Sequence, residues 1–118
     1  MLINDKKDIY WINADVTIES DLDVVTLSKL ISTIFHMPPF VLDQSGDWEG
    51  DDVYTSSCFG FDFLLSADDS PANSFHLSLV SDGDVIDLHQ NTIQIKFDDN
   101  LVSMLQHHNI DSYVRFED

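Results

Sequence analysis

Two groups of residues in this 118-residue sequence have the types and spacing that chemistry needs. Asp47, Glu49 and Asp51 alternate as the first three ligands of a calcium loop do. The sixth loop position is Asp52 where the sharp turn needs Gly, and the twelfth is Cys58 where a bidentate Glu belongs, so the motif fails twice. The second group is His76, Asp87 and His89. A tight turn at Asp82-Gly83 would set His76 opposite His89 with Asp87 diagonal to them, a set able to hold zinc or a redox metal or to act as an acid–base pair. No further ligand is placed beside these three and no glycine-rich loop adjoins, so they are expected to face water on the outer side of a sheet. His107 and His108 are neighbours on a helix and diverge by about 100°, which keeps them from sharing an ion. Cys58 is the single cysteine, so no internal disulfide forms, and a reactive thiolate would need a positive neighbourhood that is scarce here. Asp51-Asp52, Asp68-Asp69 and Asp98-Asp99 are adjacent pairs of the kind found at turns and helix starts. No nucleophile elbow, phosphate loop or dinucleotide fingerprint is present. The expectation is a protein that is not an enzyme, with no cofactor and no metal.

Charge is the other large feature. The chain has 22 acids against 5 Lys plus Arg, a formal net charge of −17, and 19 of the acids are Asp. A basic footprint for nucleic acid or anionic lipid is lacking. A small domain stays in solution with a net charge of about 2–8, and a larger excess strains the compact state by self-repulsion. Electrostatic capture of a cationic partner would offset that cost, because complementary fields raise association rates about 10–10³-fold. The segment 43–54 is the expected contact: Asp43, Asp47, Glu49, Asp51 and Asp52 surround Trp48, and Tyr54 closes it. Trp and Tyr are frequent interface anchors. Trp11, on the polar side of a strand, is a second candidate anchor.

The elements that must position these residues follow from periodicity. Residues 8–19 alternate, with Tyr10, Ile12, Ala14, Val16 and Ile18 on one face, which predicts a half-buried strand. Ser20, with Asp23 three residues on, predicts a capped helix over about 21–36, stopped by Pro38-Pro39. Residues 41–52 read as a loop. From Val53 the period is two again, and Thr55, Ser57, Phe59, Phe61, Phe63 and Leu65 are expected on one face of one strand. Residues 67–74 form a loop. Phe75, Leu77 and Leu79 alternate, and the Asp82-Gly83 turn pairs Leu79 with Ile86 and Leu77 with Leu88. A second turn at Asn91-Thr92 sets Asp87 against Lys96. Asp98 or Asp99 then caps a second helix, with Leu101, Met104, Leu105 and His108 on one face and Asn109 as a left-handed stop. A last strand spans Tyr113 to Glu117. The expected fold is α+β: one acidic domain over 1–118, with a largely antiparallel sheet of about six strands in the order β-α-β-β-β-β-α-β and two helices packed on one face. No run of 18 apolar residues and no signal-peptide pattern appears, so a cytoplasmic protein is expected.

In size, acidity, α+β pattern and the acid-plus-aromatic segment from Asp43 to Tyr54, the whole chain resembles bacterial toxin-immunity proteins, including those of contact-dependent growth inhibition. The resemblance implies a cytoplasmic inhibitor that occludes the active site of a basic toxin domain, a nuclease by preference since such enzymes carry cationic clefts. It transfers no individual residue role. Two rival readings stand beside it. A nucleic-acid mimic inhibiting a DNA-binding protein would space its acids in two rows, whereas these cluster in loops. A small adaptor or chaperone would serve a basic client.

Overall fold

A computed structural model describes residues 9–44, 52–81 and 92–115. Strand β1 (Ile9–Glu19) runs through the sheet, and helix α1 (Val24–Ile34) follows it. Strands β2 (Val41–Leu42), β3 (Val53–Cys58), β4 (Phe61–Ala67) and β5 (Ser74–Ser81) lead to β6 (Thr92–Lys96), α2 (Asp98–His107) and β7 (Asp111–Val114). The sheet order is β2-β3-β4-β5-β1-β6, with β7 also on β1. All pairs are antiparallel except β1 with β6. The architecture is the expected α+β, with seven strands among the described residues where about six were expected for the chain.

Alternation in β1 works as expected: Ala14, Val16 and Ile18 are fully buried. Opposite them on β5 lie Leu79, Leu77 and Phe75, and β4 adds Leu65 next to Leu77. Leu27 and Ile31 of α1 and Leu101 and Leu105 of α2 join the same apolar cluster, which puts both helices on one face of the sheet. The other face carries Asp15, Thr17, Ser66, His76 and Ser78, and no described helix covers it.

Several local expectations change. The N-cap of α1 is Asp23, not Ser20: Asp23 accepts from the Thr26 backbone N–H at 2.7 Å. That backbone hydrogen bond holds the Asp23 carboxyl below the usual carboxylate range. Ser20 Oγ instead accepts from Leu22 N–H. The helix is also shorter than 21–36, and Leu30 lies off the buried stripe at 39% exposed. Residues 41–42 form a short strand on β3, not part of a loop.

The run from Val53 is two strands, not one. It folds back at Phe59 and Gly60, both left-handed (φ +53° and +80°), as a two-residue hairpin turn requires. Cys58 therefore faces Phe61, and Ser56 faces Phe63. Thr55 and Ser57 lie on the opposite face from the phenylalanines, which corrects the single-face expectation. Gly60 suits that geometry; Phe59 does not, because a bulky side chain crowds the backbone there.

The expected pairing of β5 with residues 85–89 is overturned for a physical reason. Residues 82–91 lie outside the described residues, but both edges of β5 are taken, by β1 along Ser74–Val80 and by β4 along Phe75–Ser81. No edge of β5 is left free to pair with a further strand. Leu77 thus sits between Val16 and Leu65, not against Leu88. The turn at Asn91-Thr92 and the Asp87–Lys96 pair also involve residues outside the described ones.

Neither Asp98 nor Asp99 caps α2. Phe97 occupies the N-cap, without a side-chain bond. Asp98 Oδ1 accepts from the Asp15 backbone N–H at 2.7 Å, satisfying a strand donor that lies between the reach of β6 and of β7 on the same edge of β1. Asn109 does end the helix left-handed (φ +62°), and Gln106 ties it to β7 by donating to the Ser112 carbonyl. Of the predicted α2 face, Leu101 and Leu105 are buried, while Met104 and His108 are exposed. Strand β7 starts at Asp111, two residues before the predicted Tyr113, and ends at Val114 before Arg115; residues 116 and 117 of the expected strand lie outside the described residues.

Candidate functional site

Three surfaces present chemistry. The first is what is described of the acidic segment. Asp43 continues the β2–β3 ladder by donating its N–H to the Val53 carbonyl, at 2.8 Å. That register places its side chain on the helix-free face, in an open trough of about 520 Å³ shared with Thr55, Ser57, Asp62 and Leu64. Tyr54 lies opposite Leu65, on the helix side. Asp52 is exposed just before β3. Asp47, Trp48, Glu49 and Asp51 lie outside the described residues. The structure therefore gathers Asp43, Asp52 and Tyr54 at one sheet edge but directs Asp43 and Tyr54 to opposite faces. The calcium-loop spacing falls largely in the same undescribed stretch, and the side chain of Trp11 is also outside the described set.

The second surface is a polar chain on the helix-free face. His76 Nε2 stands 2.7 Å from Asp15 Oδ1. Arg115 grips Asp68 with two bonds, at 2.8 and 3.1 Å, and donates a third to Thr17 Oγ1 at 3.2 Å. Ser74 Oγ donates to Asp68 Oδ2 at 2.7 Å. The forked hydrogen bonds from Arg115 hold the Asp68 carboxyl below the ordinary range, and Asp68 in turn pushes the guanidinium up. The expected opposition of His76 and His89 is overturned: the strand neighbours of His76 are Thr17 and Ser66. Asp87 and His89 are not described, and no three His, Cys, Asp or Glu among the described residues converge on a metal position. A carboxylate beside an imidazole can orient a proton, but Asp68 and Arg115 neutralise each other rather than aim at a vacant position.

The third surface was not foreseen from the sequence. Where the β3–β4 turn meets the ends of both helices, an apolar cleft of about 160 Å³ opens between Phe35, Cys58, Phe59, Phe61, Phe97 and Met104. Phe35 at the C-cap of α1 stacks on Phe63 of β4, ring centres 6.4 Å apart, which fixes one wall. Phe97 at the start of α2 supplies another. Phe59 is 94% exposed at the rim, and Met104 is 43% exposed. The usable signal was Gly60: a glycine inside a run of 13 alternating residues, too long for one ordinary strand, marks a turn.

The chain matches no protein-family model, no curated protein and no solved structure. Among the described residues, no helix is long and apolar enough to cross a membrane.

Proposed function

We propose that this chain is a cytoplasmic immunity-type inhibitor that binds a basic toxin domain and neutralises it by covering its active site, a nuclease being the expected target. The observation that carries this reading is uncompensated negative charge: a net −17, in a molecule whose cations are partly committed to its own acids. Arg115 is locked to Asp68, and Lys96 stands 3.9 Å from Asp98. The remaining excess is a field that repels anions and draws in a cationic surface. A nuclease must concentrate positive charge to hold phosphates, so it is the kind of enzyme such a field selects. The inhibitor contributes no chemical step; it competes for the cationic cleft.

The test is to ask whether a basic toxin domain is encoded beside this gene and to measure association kinetics with that domain. The on-rate is expected to fall steeply between low and physiological salt, since the Debye length shortens as ions are added. Equimolar protein is expected to abolish toxin activity. A salt-independent on-rate, or a fully active toxin in the mixture, refutes the proposal. Trp48→Ala, or Asp51→Ala with Asp52→Ala, is expected to weaken the complex by about 2 kcal/mol or more while leaving the melting temperature nearly unchanged. Unchanged affinity in all of them would remove the 43–54 segment from the interface.

A further inference from the structure

Phe59 combines three features that work against an isolated protein. The residue is 94% exposed. Its backbone is left-handed at φ +53°, where a bulky residue is strained and Asn, Asp or Gly is the natural choice. It also stands at the mouth of a cleft whose walls are aromatic and aliphatic. Asn at this position would relieve the strain and hide the apolar surface, so nothing within the described fold accounts for Phe. The cleft itself, about 160 Å³, compares with the ~150 Å³ apolar cavity that accepts benzene. It therefore has room for one large side chain. It continues through Phe35 and Met104 into a groove between the helices that ends at His107 and His108. Asp99 is exposed two residues beyond Phe97, whereas Asp62 lies on the helix-free side and Asp98 is held by the Asp15 backbone N–H. Lys96, before Phe97, is directed to Asp98.

We propose that this cleft is a docking socket for an apolar side chain, Trp, Phe or Leu, carried on a lysine- or arginine-rich segment of the protein partner, with Phe59 closing over the inserted group. The proposal rests on the basic-partner reading above and adds a second contact, distinct from the segment 43–54. Charge complementarity selects the occupant: the net −17 disfavours an acidic segment and a second copy of this chain alike. The apolar walls supply the residence time, and the net negative charge of the whole chain supplies the approach.

Cys58, the single cysteine, lines the cleft and reports on its occupancy. The probe is a dodecapeptide of lysine and leucine with one central tryptophan, compared with one in which serine replaces the leucines and tryptophan. At low salt the first is expected to bind the full-length chain at least tenfold more tightly than the second and to slow iodoacetamide alkylation of Cys58 at least fivefold. Phe59→Asn is expected to keep or raise the melting temperature, since it relieves the turn, yet to lose at least tenfold in peptide affinity. Asp51→Asn with Asp52→Asn leaves Cys58 protection in place. Equal binding of both peptides, no binding of either, or affinity and protection indifferent to Phe59→Asn overturns the socket. So does a wild-type dimer in sedimentation that Phe59→Asn dissolves, which would make a second copy the occupant. Salt separates the two readings: a socket that works with no salt dependence refutes the basic-partner reading alone, whereas salt-sensitive binding that ignores Phe59 refutes the socket alone.

Discussion

The two faces of the sheet handle their unusual residues in opposite ways. On the helix-free face, groups that look reactive answer one another: Arg115 is divided between Asp68 and Thr17, and His76 meets Asp15. At the helix-side mouth, Phe59 and Met104 are left facing water. A polar group finds partners within its own fold at modest net gain, so reactive-looking types in a satisfied network are first of all structural. An exposed aromatic at a strained turn gains nothing from its own fold. The contrast points away from the histidines and carboxylates and toward the phenylalanines as the place where the proposed partner would act.

That contrast can be broken by substitution. The largest effect belongs to the core beneath both faces: Leu77→Ala, between Val16 and Leu65, is expected to cost about 2–5 kcal/mol by urea unfolding. A loss under ~0.5 kcal/mol, the usual size for a surface change, would put Leu77 in water and unseat the sheet order. Next is Asp68→Asn, expected to cost about 1.5–3 kcal/mol near neutral pH because it strips a guanidinium of its charged partner. The sign of the pH effect follows from the depressed carboxyl. Its contribution is complete above the ordinary carboxylate value, about 3.9, and fades as pH falls through the lower native value. Melting curves of wild type and variant should therefore converge as pH drops below about 4; a gap that persists or widens in acid would mean the pair is not what Asp68 contributes. Smallest is His76→Gln. The His76–Asp15 contact is partly solvated, with side chains 30% and 26% exposed, so a change of about 0.2–1 kcal/mol is expected. If His76→Gln abolished toxin neutralisation while stability held, the polar face, not the apolar mouth, would be the working surface.

How much was legible beforehand differs from element to element. The buried faces of β1 and β5 were readable because side chains alternate strictly along a strand. The helix ends before Pro38-Pro39 and at Asn109 were readable because proline bars helix from the residue before it and Asn tolerates the left-handed backbone. The pairing of β5 was not. Opposing Leu77 to Leu88 looked self-consistent, but any alternating strand offers an apolar residue at the right parity, and Val16 and Leu65 satisfy Leu77 equally. The hairpin turn at Phe59-Gly60 was missed because Phe continues the alternation while Gly breaks it without a change of composition. Of the expected contact segment, Asp43, Asp52 and Tyr54 have a described place, and the sheet divides them.

The sequence by itself determined the α+β class, the apolar faces of its longest strands and the overwhelming negative charge, since periodicity and composition act locally or as sums. Tertiary structure decided which strands become neighbours, which acids are spent on internal bonds, and that a phenylalanine ends at the rim of a cleft. Those outcomes depend on hydrogen-bonding edges and on contacts between residues distant in the chain, and alternation, which assigns a side chain to a face, says nothing about the strand beside it.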